Sequence, residues 1–414
     1  MKCTVCDNLD ISKWKMPAWL AAVVCVLVMV LGIWIGTAIG KPEPTEPVES
    51  VQMQEPTEPT EPTVVSEAWR SNILRTDEIP DGYYGDQCDY PVFGSDYQRK
   101  QIKSVTVVDT LADMPEDAWD VSEAGDGTVM AWVKPYGEQY DLYLGAEGGI
   151  NAGTSCEDLF DGYQNATSIT LGDRFDTSNV RTMQNMFCRC PSLTALTLGD
   201  SFDTSNVQDM GGIFFHCLSL TVLSLGDRFD TSNVQNMYCM FNNCRSLMEL
   251  DLGEHFDTSS ATYMMSMFDG CASLTELTLG DRFDTSNVQI MSGMFAGCSS
   301  LMELDLGERF DTSNVTDMGW MFSDCSSLTA LTLGEHFDTS NVTDMEKMFS
   351  GCSSIKALDL GERFDTSNVQ RMSWMFENCS SLTELNLGEH FVTPPSIQTE
   401  MFENCPADMQ LLNR

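Results

Sequence analysis

The apolar residues of this chain fall into columns. A phenylalanine returns at Phe175, Phe202, Phe229 and onward to Phe391, a step of 27 residues with no insertion. Within one unit Leu328, Leu331 and Leu333 form L-x-x-L-x-L, which predicts a short strand with its leucines on the inner side. Gly334 follows, where the backbone needs positive φ or leaves no room for a side chain. Val342, Met345, Met348 and Phe349 then recur at i, i+3, i+6 and i+7, and the side-chain oxygens of 338–341 are placed to cap free amides. A two-turn helix is the expectation there. Strand, turn, short helix and return predict a right-handed α/β solenoid in which no unit closes a core alone and each buries its apolar face on its neighbours. The last unit differs, carrying Pro394 and Pro395 and placing Phe402 one residue early, so it reads as a cap.

The periodicity spans residues 159–405, with 406–414 left as a C-terminal tail. Before it, 67–158 shows alternating β-branched and aromatic runs at 102–108, 128–135 and 140–145, punctuated by Asp-Gly and Gly-Gly pairs. These predict a small antiparallel, β-rich capping module closing the open end of the array. Residues 41–66 are rich in Pro, Glu and Thr and read as an extended stalk. Met16–Gly40 runs 25 residues without a charge, enough at roughly 1.5 Å per residue to cross a bilayer as a single transmembrane helix. Lys2, Lys13 and Lys15 precede it and a run of Glu follows Lys41, so residues 1–15 are placed in the cytoplasm and the repeats outside. A cleaved signal peptide is the alternative.

With 62 acidic against 22 basic residues the chain is a poor nucleic-acid ligand, since phosphate binding needs clustered Lys and Arg. Cys190 and its counterparts at every repeat through Cys405 read as small buried core residues; a single file of thiols cannot all pair, and metal ligands must converge. Cys3 and Cys6 form C-x-x-C, half a zinc site that a second chain would have to complete, with idle reduced thiols as the plainer reading. Cys88 and Cys156 flank the module and could form a disulfide. An acid after each repeat glycine, as at Asp227 and Glu254, is followed in most units by Arg or His, which predicts weak ion pairs between coils. Adding the Asp176 to Asp365 column makes calcium sites conceivable, although those residues also suit capping and the adjacent Arg opposes a cation. No phosphate loop or nucleophile motif appears, and no cofactor or catalytic residue is expected.

The unit L-x-L-G-x-x-F-D-T-S-N-V-x-x-M-x-x-M-F-x-x-C-S-S-L, with F-D-T-S-N-V unaltered seven times, closely resembles the leucine-rich repeats of BspA-like bacterial surface proteins. The resemblance implies a leucine-rich-repeat array on a cell surface, without catalytic residues, in a class associated with adhesion to host or bacterial proteins or glycans. On the strands, the residues flanking the inward leucines vary between repeats and are acidic in the middle. Glu249, Asp251, Glu276, Glu303 and Asp305 are therefore the candidate partner-binding residues, and a basic partner is one that such a cluster would attract. The competing expectation is a spacer or surface coat without a specific ligand.

Overall fold

The computed structural model describes residues 67–77, 90–392 and 400–412. Met16–Gly40, the stalk, Cys3, Cys6 and Cys88 lie outside the described residues, among which no helix is long and apolar enough to cross a membrane.

The module contains β1 (Ile102–Val108), β2 (Trp119–Asp120), β3 (Met130–Tyr136), β4 (Gln139–Gly145) and β5 (Ile150–Asn151). Strands β3 and β4 form an antiparallel hairpin turned at Gly137, but β1 runs parallel to β4. The expected all-antiparallel module is thus half correct, and the parallel strand has a purpose. On its other edge β1 pairs in parallel with β6 (Ser168–Thr170), Val105 opposite Ile169, and β6 pairs with β8 (Ala195–Thr197); between them lies β7 (Phe175–Asp176), which pairs with β5. The module therefore supplies a strand in the direction the repeats use and covers their open edge. Buried Arg99 fixes the junction: it pairs with Asp77 at 2.9 Å and donates to the carbonyls of Asp158 and Asp161 at 2.8 and 2.6 Å.

Parallel pairs 27 residues apart continue through β9 (Glu249–Asp251), β10 (Glu276–Thr278), β11 (Glu303–Asp305), β12 (Ala330–Thr332), β13 (Ala357–Asp359) and β14 (Glu384–Asn386). The chain read as a tail adds a further strand, β15 (Gln410–Leu412), on β14. Gly334 has φ +84, and a Cβ there would stand 3.0 Å from the Gly307 carbonyl of the preceding coil, so both reasons for glycine apply.

The expected two-turn helix is absent: among the described residues there is no α-helix, and the fold is a β-solenoid built from strands and turns. The backbone hydrogen bonds give the reason. In the coil from Phe310, the amides of Met318, Trp320, Phe322 and Asp324 donate to carbonyls of the next coil at 2.7–2.9 Å. The amides that follow three of them, of Met321, Ser323 and Cys325, donate three residues back within the coil. Alternate amides thus serve the neighbour and the coil itself, which an α-helix, bonding only within itself, cannot do. Spacing of i, i+3 and i+6 suits successive three-residue turns as well as it suits a helix. The result is a second ladder of parallel bridges, running from Ser155 through Thr182 and Asp317 to Arg371.

F-D-T-S-N-V is a staple between coils and not a helix cap. Asp338 accepts from the Ser340 amide at 2.9 Å, Thr339 donates to the Asp365 carbonyl of the next coil at 2.8 Å, and Asn341 donates to the Ser313 carbonyl of the previous one at 2.7 Å. Where the sequence reads S-S-A, Ser260 takes over the Asn bond, donating to Ser232 at 2.6 Å. The phenylalanines form two stacks. Rings from Phe160 through Phe187 to Phe402 lie 5.4–5.8 Å apart, whereas in the other column Phe202 and Phe229, and the rings from Phe256 to Phe391, lie 6.2–6.5 Å apart. Coils are therefore closer together beside the bridge ladder.

The cysteine column is buried, as expected of core, but it is not merely a filler. Cys325 Sγ donates to the Phe295 carbonyl at 3.1 Å, and Cys217, Cys244 and Cys352 make the same bond one coil back at 3.2–3.3 Å. Burial pushes the Cys325 thiol up to about 12, which keeps it a donor. Cys156 is likewise a buried free thiol.

Candidate functional site

The five predicted residues all lie exposed on the outer side of their strands, with Leu250 and Leu304 buried between them. They do not form one continuous sheet patch. Strand β9 pairs with β10 and β11 with β12, so Glu249 stands opposite Glu276, while Glu303 and Asp305 face Ala330 and Thr332. Two of the five also hold the backbone: Asp251 accepts from the Gly253 amide at 2.9 Å and Asp305 from the Gly307 amide at 3.0 Å. Like charges in register cost a few tenths of a kcal/mol to about 1 kcal/mol, so the glutamate pair does not serve folding.

The basic column pairs differently from expectation. Arg309 lies 3.9 Å from Asp284 and Arg363 lies 3.8 Å from Asp338, so the partner is the F-D-T-S-N-V aspartate of the preceding coil and not the acid beside the arginine. At Asp284 and Asp338, in the column considered for calcium, that occupies both oxygens, one on the Ser amide and one on arginine. These arginines are more than half exposed, and each pair contributes little.

Sequence reasoning missed a second surface. The outward residues of the bridge ladder differ from coil to coil far more than any other column: Asn236, Tyr263, Ile290 and Asp317 occupy one position, Ser266, Gly293, Trp320 and Lys347 another. Tyr238, Tyr263 and Trp320 are 44–47% exposed. Gln208, Asn236, Tyr238, Thr262 and Tyr263 line an open groove of about 640 Å³. A second, of about 400 Å³, has Trp320 on one side and Met265 on the other, with small residues such as Gly293 and Ala296 between. Lys347 Nζ sits over both Trp320, 4.3 Å from the ring centroid, and Trp374, at 5.4 Å.

The second position is left-handed in each of these coils, with φ +63 at Trp320, +55 at Lys347 and +57 at Trp374; in other coils Gly212 and Gly293 fill it. A bulky residue with positive φ costs roughly 1–2 kcal/mol. An exposed cation–π contact returns about 0.5–1 kcal/mol. Trp-Lys-Trp is therefore a net cost to a fold that accepts glycine at the same place. The signal was present in the sequence as two columns of divergent residues inside near-identical repeats, but the helix reading turned them into an ordinary solvent face.

No curated protein sequence matches the chain. Among solved structures it is similar to a leucine-rich-repeat protein of T. pallidum, with 17% identity over 54% of this chain and 87% of that one, at a TM-score of 0.27. A leucine-rich cell surface protein of Faecalibacterium prausnitzii shares 15% identity over 72% and 94% of the two chains, at a TM-score of 0.29. A leucine-rich-repeat protein of Eubacterium ventriosum shares 15% over 70% and 94%, at 0.24. A family model matches over 154–279, 248–332 and 306–413, more than half of the chain and the same residues that carry the resemblance to BspA-like leucine-rich-repeat proteins, which therefore holds. By that match the chain belongs to the family described as Mycoplasma protein of unknown function, DUF285.

Proposed function

We propose that the chain is a single-pass, membrane-anchored cell-surface protein whose right-handed array binds a protein or glycan partner, with the repeats outside the cell. Anchoring rests on the charge-free run Met16–Gly40 and the lysines before it. The observation that carries the binding role is the contrast between constant buried columns and varied exposed ones. Phe, Met, Cys and Thr positions barely change because each serves a neighbouring coil, whereas the outer strand residues change freely and gather acid at Glu249, Asp251, Glu276, Glu303 and Asp305. A row of exposed carboxylates accelerates encounter with a basic partner and does so less at high salt.

The test replaces the five by Gln or Asn. Asn at 251 and 305 keeps an oxygen for the glycine amide, so the backbone is preserved while charge is removed. Adhesion of the wild type to immobilised host and bacterial surface proteins falls with salt, and the variant binds more weakly at low salt. Equal, salt-independent attachment by both removes the strand face as the site. Attachment to nothing favours a spacer.

A further inference from the structure

The bridge ladder carries an interaction surface of its own, separate from the acidic strand face. Trp320 and Trp374 stand at a ladder position that is left-handed in every coil around them, and glycine holds it in two other coils. Neither ring is needed to seal the core, which the Phe, Met and Cys columns complete beneath them. Lys347 grips both rings from the coil between, so they are held in place while Trp320 stays 44% exposed. Trp374 is half-buried. Aromatic side chains held rigid and partly open to solvent on a strained backbone are a binding feature and not a folding feature.

The charges nearby identify the occupant. Arg371 is already taken by Asp344, with Glu346 at 3.9 Å, and Lys347 by the two rings, so neither cation beside the tryptophans is left over for an anionic ligand. Asp269 and Asp324 line the groove beside Trp320 and repel one. A basic peptide would have to displace Lys347 and Arg371 from partners they already hold. A neutral partner with flat apolar faces and many hydroxyls meets neither obstacle. It can stack on Trp320, Trp374 and the exposed rings of Tyr238 and Tyr263, and it can hydrogen-bond the amides and carboxylates between them. These rings are spread along one line over successive coils, from that of Tyr238 to that of Trp374, which suits a linear polymer. We infer that the bridge-ladder face binds a neutral polysaccharide laid along the array, with Trp320 and Trp374 as its stacking platforms.

The experiment uses the purified full chain, kept in a detergent without a sugar headgroup. Native affinity electrophoresis and tryptophan fluorescence are run with mannan, xylan, starch and mixed-linkage β-glucan, beside polygalacturonate and polylysine as charged controls. At least one neutral polysaccharide retards the wild type and changes its fluorescence, with little response to salt. Trp320→Gly and Trp374→Gly each weaken this by about tenfold or more, the loss expected of one stacking platform. Glycine suits the backbone at both positions, so their thermal unfolding is unchanged or raised, and lost binding is not lost folding. The five-fold strand-face variant binds these polysaccharides as the wild type does, which separates this surface from the acidic one. The inference is overturned if no neutral polysaccharide binds, if binding survives both glycine variants, or if the tryptophans are required only for polygalacturonate or polylysine.

Discussion

Removing Phe322 tests how the array distributes its stability. Its ring is fully buried and lies between Phe295 at 5.6 Å and Phe349 at 5.4 Å. A buried Phe→Ala change costs about 3–5 kcal/mol, and loss of two stacking contacts at about 0.5–1.5 kcal/mol each places Phe322→Ala at the upper end, about 5 kcal/mol. Phe402 closes the same stack with a single ring neighbour, Phe376 at 5.4 Å, and is half-buried, so Phe402→Ala costs roughly 2 kcal/mol. The backbone bonds of Phe322, from its amide to Met348 and from Cys352 Sγ to its carbonyl, do not depend on the ring. Damage should therefore spread only to adjoining coils, since each coil touches its neighbours alone. Hydrogen exchange read by mass spectrometry, with urea unfolding alongside, measures both quantities. Protection falls between residues 283 and 363 and holds near β6 and β14. Equal destabilisation by the two variants, or protection lost evenly along the chain, would refute the reasoning.

Three further outcomes are expected. Thr312 is buried and donates to the Asp338 carbonyl at 2.8 Å, so Thr312→Val leaves that acceptor unpaired and costs about 1–3 kcal/mol by urea unfolding, with Thr312→Ser recovering part of it. Burial, and then neighbouring Asp161, push Asp158 from the usual 3.8 up to about 6. The folded state thus holds a proton that the unfolded chain has released, and stability from this group falls as pH rises through that window. Asp158→Asn, at a position whose φ of +55 suits Asn, should raise stability above pH 6 by about 1–2 kcal/mol after screening and leave it unchanged below about pH 4, as read from urea midpoints. With the Cys325 thiol at about 12, roughly one molecule in ten thousand is thiolate at pH 8, so peptide mapping after iodoacetamide should find Cys325 unlabelled in the native chain and half-buried Cys405 labelled before the buried thiols of its column.

The columns were legible because burial on a neighbour repeats at the coil length. Phe, Leu and Cys positions announced the register, and β1 appeared at 102–108 as read, since alternation shows which face of a strand is buried. The turn region was not legible for a physical reason: Val342, Met345 and Met348 have a spacing that satisfies a helix and a train of turns alike. What decides between them is where the amides donate, and that depends on a coil 27 residues away. The acidic strand residues could be found from two-residue alternation alone. Trp320 and Trp374 stood in the sequence as divergent letters in a near-constant unit, but their cost to the fold lies in a left-handed backbone that the letters do not display.

The side-chain staples reach 26, 27, 28 or 30 residues, as from Thr312, Thr329, Asn314 and Cys325, and each spans one coil boundary. Excising 27 residues anywhere inside the array therefore brings together two coils that already fit, while any other length misaligns every staple at the joint. At a strand spacing of about 4.8 Å, each coil gained or lost changes the reach of the array by a fixed step. The molecule behaves as a ruler: its length can be reset by whole graduations, while the two ends, the module with its Arg99 junction and the final strand at Gln410–Leu412, stay as they are.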